Sequence, residues 1–276
     1  MQHFEEGANS MYGMFLNNRG RVLYDTLIHK WEGNDSFLIE CDKNVSISLL
    51  KHLKMFKLKR NVQIEDINER YRSCALIIPS QVETDNTIDP NKNVNVYKDP
   101  RLSDLGYRVV VSSKAVDKDV ENITSEKFVV ADDDSGYKYL RYKLGVSEGS
   151  EDLPIGATFP LEANCDYLHG VSFHKGCYIG QELTARVHHT GVIRKRIMPI
   201  KFNNIVEEEL EIDEVISGDE KKSNYGKLKS WIHDYGLGLV RIKEALEAKS
   251  LRIGKLSVEV VKPSWWPIEA PKEKSK

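Results

Sequence analysis

The chain has 276 residues, of which 40% are apolar and 30% charged, a composition typical of a soluble globular protein with two or three packed units. Its 40 basic residues nearly balance its 42 acidic ones, so the net charge of −2 predicts no general attraction to nucleic acid or to an anionic membrane. No apolar run approaches the length of a membrane span, and the four cysteines form no C-x-x-C pair, which argues against a zinc knuckle, a redox dithiol or a disulfide-rich secreted scaffold.

The N-terminal part of the chain predicts a hairpin, a strand and a helix. Apolar residues alternate on both sides of "NNRG" (17–20), which is typical of a β-hairpin, and "SFLIEC" (36–41) predicts a third strand. The segment "NVSISLLKHLKMFKLKR" (44–60) carries apolar residues at near-helical spacing with lysines between them. We assign those lysines to a solvated face without further function.

The middle of the chain continues this mixture. "NVQIEDIN" (61–68) and "SCALIIP" (73–79) are predicted as short strands. The polar, Asn- and Asp-rich residues 80–100 predict a surface loop, and "YRVVVSS" (107–113) predicts another strand. "SGYKYLRYKLGV" (135–146) suits a helix that is closed by its second glycine.

The pattern changes after Arg196. Strand-like pieces separated by Gly, Asn and Asp predict a small all-β unit, with one helical turn at 243–249 and a boundary near 190–197. The tryptophan pair of "SWWP" (264–267) is expected to close a barrel edge, and residues 268–276 are predicted to be a disordered tail.

One cysteine lies in an unusual setting. "KGCYIGQELTAR" (175–186) places Cys177 between glycines, with Lys175 two residues before it and Arg186 nine after it. Nearby cations favour a thiolate, and so do the amides of a helix start, which "GQELTAR" predicts just after the cysteine. The flanking glycines permit positive φ or close backbone approach, so the turn is expected to expose the thiol.

Four roles for Cys177 remain open from the residues alone. A nucleophile would need a base, for which His188 or His189 is the local candidate, and no Asn or Asp orienter is evident. A zinc site would need three or four ligands, and adjacent histidines usually point apart. A protein thiolate can also complete an iron–sulfur site whose other ligands come from a partner. The fourth role is an inert, buried thiol.

The other three cysteines carry no such pattern. Cys41 and Cys74 border apolar strands, and we predict that both belong to the core. Cys165 lies twelve residues before Cys177 and is a weaker candidate for approaching the site.

The segment 159–196 contains "KGCYIGQE", which resembles the K-G-C-[FY]-x-G-Q-E signature of the YgfZ-like family. That family is related to the T-protein (aminomethyltransferase) of the glycine cleavage system, and the resemblance is greatest to its eukaryotic branch of mitochondrial iron–sulfur cluster assembly factors. The resemblance covers nearly the whole chain. One further segment resembles the family's hairpin, and two resemble other elements of its sequence: "MFLNNRGRVLYDTLIH" (14–29), "DPRLSDLGYRVVV" (99–111) and "YLRYKLGVSEGSEDLP" (139–154).

The resemblance implies an α+β fold. We expect an aminomethyltransferase-like, folate-binding-type domain at 1–190, with a ferredoxin-like subdomain at about 44–105. A C-terminal β-barrel domain is expected at 191–267.

The resemblance also implies a function. It predicts an assembly factor, more a partner protein than an enzyme, that promotes maturation of mitochondrial [4Fe–4S] proteins of the aconitase and lipoate-synthase types together with an A-type iron–sulfur carrier. Cys177 matches the motif cysteine and would ligate a transient [2Fe–2S] cluster shared with that carrier. The expected supporting residues are Lys175, Gly176, Tyr178, Gly180, Gln181, Glu182 and Arg186. Neither nucleic acid nor a membrane is expected as a partner.

Two further expectations concern location and the alternative activity. The expected location, the mitochondrial matrix, rests on the resemblance alone, because no transit peptide is visible in the chain. The alternative function is a folate-dependent aminomethyl transferase using tetrahydrofolate. Its early acidic residue belongs to an L-x-G-x-x-[TS]-N-D segment that the 276 residues lack, so we expect an upstream piece to be missing.

Overall fold

The computed structural model describes residues 7–31, 35–77, 93–116, 119, 129–207, 210–218 and 223–267. Within these ranges the chain forms two three-stranded sheets, several helices and a closed barrel. The predicted disordered tail at 268–276 lies outside the described residues. None of the helices in the described part is long and apolar enough to cross a membrane.

The first sheet confirms the predicted hairpin and third strand. Strands β1 (Ser10–Leu16), β2 (Val22–Lys30) and β3 (Phe37–Glu40) pair antiparallel in the order β1-β2-β3. Tyr12 of β1 and Leu27 of β2 are cross-strand partners, and both are buried in the same apolar cluster.

Helix α1 (Ser46–Lys57) follows a short 3₁₀ turn (Lys43–Val45), as the apolar spacing predicts. Its Leu49 packs with Val45 and with Tyr24 of β2 in one apolar cluster. The helix therefore rests on the hairpin through a narrow stripe of apolar side chains.

The second sheet corrects two predictions. It consists of β4 (Tyr71–Leu76), β5 (Val94–Lys98) and β6 (Tyr107–Ser112) in the order β4-β6-β5. The prediction of a strand at 61–68 is wrong, since no strand forms there. The prediction of a loop across 80–100 is wrong for β5, whose valines are buried although polar residues surround them in the sequence.

Three helices lead toward the barrel. Helix α2 (Ser135–Leu144) ends at Gly145, whose left-handed φ of 78° and N–H bonds to the last carbonyls confirm the predicted glycine cap. Helix α3 (Gly149–Asp152) is a single turn, and α4 (Gln181–Thr190) follows the cysteine motif.

The C-terminal strands close into a barrel in the order β10-β7-β12-β11-β8-β9. Its elements are β7 (Lys195–Phe202), β8 (Val215–Ser217), β9 (Gly226–Ile232), β10 (Tyr235–Arg241), the short helix α5 (Ile242–Glu247), β11 (Leu251–Ile253) and β12 (Leu256–Val260). Apolar side chains from these strands form the barrel core. The all-β unit is thus confirmed, while the exact domain boundaries and the ferredoxin-like subdomain stay predictions.

Aromatic and ionic contacts join the barrel to the preceding body. Arg196 of β7 forms an ion pair of 2.7 Å with Asp166 and lies 3.9 Å from the ring centroid of Tyr167. Trp266 is buried in the barrel core with its ring centroid 5.7 Å from the Arg196 guanidinium carbon, and Trp265 donates from Nε1 to the carbonyl of Leu144 at 2.8 Å. The Arg196 contacts hold the loop before the cysteine motif against the barrel, and the Trp265 bond joins the barrel to the segment that ends at Leu144.

Candidate functional site around Cys177

The cysteine motif is fixed to the turn of the first hairpin. Asn17 accepts backbone N–H bonds from Arg19 (2.9 Å) and Arg21 (3.0 Å), which shapes the β1–β2 turn. Gly180 has a φ of +79°, and a Cβ there would lie only 2.4 Å from the Asn17 carbonyl oxygen. Both the backbone conformation and the close approach therefore require glycine at position 180.

The turn after the cysteine is closed by Gln181. Its Oε1 accepts the backbone N–H of Tyr178 at 3.0 Å, and the Gln181 N–H reaches the Tyr178 carbonyl at 3.3 Å. Gly180 then precedes the first residue of α4. The predicted helix after the cysteine is confirmed, but it begins four residues beyond Cys177, and a direct effect of its amides on the sulfur stays a prediction.

Lys175 lies against the motif rather than extending into solvent. Its Nζ is 4.5 Å from the ring centroid of Tyr178, and half-burial lowers the pKa of Lys175. By contrast, a Cβ added at Gly176 would have no other atom within 4 Å, and the φ of Gly176 is not positive. Glu182 and Arg186 are exposed on α4. Cationic activation of Cys177 by Lys175 or Arg186 stays a prediction.

The thiol of Cys177 is exposed, which contradicts the inert, buried role. Cys165 is 1% exposed, and burial raises the pKa of its thiol. Burial also raises the pKa of Cys41 to about 11. The prediction that Cys74 belongs to the core is wrong: it is exposed on β4, which is an edge strand of its sheet.

The histidines downstream of the motif occupy the end of α4. The His188 ring stacks on Phe173 with centroids 3.4 Å apart and planes 7° apart, and the His189 ring meets Phe173 at 6.3 Å. This stack gives His188 a packing role that requires no contact with the thiol. Among the described residues, no group of three His, Cys, Asp or Glu side chains could hold a metal ion, so a zinc site has no ligand set there.

A second cluster of charged residues, which sequence reasoning missed, lines a cavity of about 310 Å³ in the body. Arg101 pairs with Asp99 and with Glu148, each at 2.7 Å, and Arg108 pairs with Glu40. Arg108 and Glu40 lie 68 residues apart and Arg101 and Glu148 lie 47 apart, so no local pattern predicts these two pairs, although Asp99 is only two residues from Arg101.

Electrostatics divide the carboxylates of this cavity. Burial, and then the charge of Glu148, raise the pKa of Asp25 to about 6. Burial acts to raise the pKa of Glu40, but Arg108 outweighs it and lowers the pKa to about 2. Burial also acts to raise the pKa of Glu148, but the charges of Arg101, Arg108 and Arg141 outweigh it and lower the pKa. The cavity therefore holds ionised carboxylates beside one acid that takes up a proton near pH 6.

The fold and the site define a class of protein: a mixed α and β body, followed by a closed barrel, with an exposed motif cysteine, Cys177, in the body. A solved structure of the glycine cleavage system aminomethyltransferase T from Bartonella henselae matches over 94% of this chain and 76% of its own, with a TM-score of 0.69 and 13% identity. This likeness concerns the fold alone and confirms the predicted fold class. Residues 194–268 match the family model of the CAF17 C-terminal β-barrel domain.

The chain belongs to the IBA57 family. The mouse protein named iron-sulfur cluster assembly factor IBA57, mitochondrial, is 36% identical over 96% of this chain and 75% of its own length. The human protein of the same name is 33% identical over 94% of this chain and 73% of its own length. These relatives confirm the resemblance to mitochondrial iron–sulfur cluster assembly factors.

Proposed function

We propose that this protein is a mitochondrial iron–sulfur cluster assembly factor and that it acts by presenting Cys177 to a cluster held jointly with a partner. Two mitochondrial relatives named for this function, aligned along nearly the whole chain, support the role. The observation that carries the site is an exposed thiol on a loop whose backbone is fixed by Gly180 and Gln181.

A shared cluster is consistent with the chemistry of a solitary thiol. A [2Fe–2S] cluster takes four protein thiolates in all, two on each iron, and Cys177 offers one. The missing ligands must therefore come from a second protein, for which an A-type carrier is our proposal. The step is a ligand exchange: the Cys177 thiol gives up its proton and its sulfur binds iron, the bond from iron to one carrier thiolate breaks, that thiolate takes up the proton, and the iron keeps its oxidation state.

The surrounding residues have separable roles in this proposal. Gly180 and Gln181 fix the loop, and Lys175 braces it against the Tyr178 ring. Arg186, exposed on α4, would meet the negative charge of a thiolate-ligated cluster or of the partner's surface. We further propose that the protein works in the mitochondrial matrix and that it promotes maturation of [4Fe–4S] proteins of the aconitase and lipoate-synthase types. No substrate turnover is required of the protein itself.

The test uses the purified chain and an A-type carrier loaded with a [2Fe–2S] cluster, mixed anaerobically and separated by size exclusion with detection at a cluster absorption band. The wild-type chain should elute together with the carrier in one peak that absorbs at the cluster band. Cys177→Ser should lose the coloured complex, while Cys74→Ser, which removes the other exposed thiol, should keep it. A coloured complex of equal yield with Cys177→Ser contradicts the ligand role.

The charged cavity supports a second candidate function, a folate-dependent one-carbon transferase. Asp25, with a pKa of about 6, is the group in the cavity that could exchange a proton near neutrality. Calorimetric titration with tetrahydrofolate tests this candidate, with Asp25→Asn as the matched variant. Tight binding together with activity toward an aminomethyl donor would favour it, and absence of binding would exclude it.

A further inference from the structure

Helix α1 presents an unusual surface to solvent. Ile47, Lys51, Lys54 and Met55 are spaced i, i+4, i+7 and i+8, so they share one face of the helix. All four are exposed, Ile47 by 64% and Met55 by 63%. A helix face that only meets water normally carries polar residues, so the large apolar side chains on this face call for a covering partner.

The residues after the helix extend the same surface. Leu58 is 82% exposed, although its backbone has a φ of 51°, a conformation uncommon for a residue other than glycine. Lys59 and Arg60 follow it, and Val62 is 49% exposed. We call the exposed side chains of residues 47–62 the α1 surface.

The α1 surface is strongly basic, although the whole chain is slightly acidic. Residues 47–62 contain five of the chain's 40 basic residues and none of its 42 acidic ones. The remainder of the chain therefore has 35 basic residues against 42 acidic ones. The net charge of −2, which predicted no attraction to an anionic membrane, conceals this local excess of positive charge.

We propose that the α1 surface binds the anionic phospholipid surface of a bilayer. Exposed apolar side chains on a basic helix suit the boundary between headgroups and acyl chains, where the apolar side chains enter the boundary and the lysines meet phosphates. Four of the five cations at 47–62 are lysines, which are depleted in protein interfaces but pair with phosphate without fixed geometry. Lipid therefore fits this surface better than an acidic protein does.

The attachment would hold the body of the protein at a bilayer rather than insert it. Helix α1 is anchored on its other side by Leu49, and its His52 ring lies 5.7 Å from Phe15 and 5.8 Å from Tyr24 of the hairpin. The turn of that hairpin holds Gly180 of the cysteine motif. The α1 surface contains no residue of the cysteine motif, so we expect lipid binding and cluster ligation to be separable.

Vesicle flotation tests the proposal with the full chain. Vesicles of phosphatidylcholine alone are compared with vesicles containing about 30% phosphatidylserine, at about 0.1 M and about 0.5 M salt. The wild-type chain should float with the anionic vesicles at low salt and lose most of that binding at high salt. Ile47→Ser/Met55→Ser should weaken binding even at low salt, because it removes the apolar contribution.

Charge reversal provides the matched comparison. Lys51→Glu/Lys54→Glu should lower the partition coefficient about tenfold or more, since each basic residue near the surface contributes roughly a fivefold factor. Lys249→Glu/Lys255→Glu changes two exposed lysines of the barrel by the same charge and should leave binding within about twofold. All four positions are exposed, so folding should be retained, which circular dichroism verifies.

Two results overturn the proposal. One is wild-type chain that fails to float with anionic vesicles, and the other is equal loss of binding in both lysine pairs, which indicates general charge rather than α1. If the wild-type chain does not bind vesicles while Lys51→Glu/Lys54→Glu weakens binding to the A-type carrier, the α1 surface binds a protein partner instead. The cluster complex of the Proposed function should form normally in every one of these variants.

Discussion

The loop that carries Cys177 and the charged cavity of the body use polar chemistry in opposite ways. In the cavity, guanidiniums pair with carboxylates inside the body, as in the pairs of Arg101 with Asp99 and with Glu148. In the loop, the backbone is fixed by Gly180, but the thiol itself is exposed. We therefore expect the buried ion pairs of the cavity to stabilise the body, whereas the loop leaves the motif cysteine accessible to a second molecule.

The largest effect should come from breaking a buried ion pair. Arg141 donates to Asp152 at 2.6 Å, and both are less than 10% exposed. Arg141→Met leaves the Asp152 carboxylate buried without its cation, which should lower the free energy of unfolding by about 3–5 kcal/mol. Urea denaturation measures it. Arg70→Met, which breaks an exposed pair with Glu65, should cost less than about 1 kcal/mol.

Equal losses in Arg141→Met and Arg70→Met would show that the buried pairs do not stabilise the body more than surface pairs do. That result would contradict the claim that the cavity charges stabilise the body.

The loop should show the next largest effect. Gly180→Ala adds a methyl group 2.4 Å from the Asn17 carbonyl oxygen at a φ of +79°, so we expect a loss of roughly 2–4 kcal/mol in the free energy of unfolding. Gly176→Ala meets open space and should cost less than about 0.5 kcal/mol. If the two substitutions behave alike, the loop is not held by its contact with the hairpin.

The pH dependence of stability sharpens the account of the cavity. The native protein holds the Asp25 proton up to a pKa of about 6, whereas an unfolded aspartate loses it near 3.8. The native state therefore binds more protons between these values, and the contribution of Asp25 to stability falls as pH rises from about 4 to about 6. Glu40, with its pKa lowered to about 2, acts in the opposite sense and loses stability only below its unfolded pKa.

The difference between Asp25→Asn and wild type isolates this contribution, because asparagine does not titrate. The stability of Asp25→Asn relative to wild type should rise by about 1–3 kcal/mol between pH 4 and pH 6, measured by denaturation at each pH. A difference that stays flat across this range would contradict a raised pKa for Asp25.

The smallest effect concerns the histidines. His188→Ala removes the ring stacked on Phe173 and should lower the free energy of unfolding by less than about 1 kcal/mol, since His188 is exposed. Formation of the cluster complex with the carrier should stay within about twofold of wild type. A complete loss of function with intact folding would favour a catalytic pair of Cys177 and histidine instead.

The sequence predicted the hairpin, the cap of α2 at Gly145 and the helix after the motif, because each depends on local residue patterns. It also predicted the exposed thiol from the flanking glycines. It could not reveal β5, whose short apolar alternation lies among polar residues, or the exposure of Cys74, which depends on β4 lying at a sheet edge. The charged cavity was missed because Glu40 and Glu148 are distant in sequence from the arginines with which they pair.

Native mass spectrometry of the complex with a cluster-loaded A-type carrier tests the central claim most directly. The account predicts one mass that contains this chain, the carrier and a single [2Fe–2S] cluster, formed by wild type and by Cys74→Ser but not by Cys177→Ser. The same cluster-containing mass from Cys177→Ser would contradict it, because the bridging sulfur would then belong to another residue.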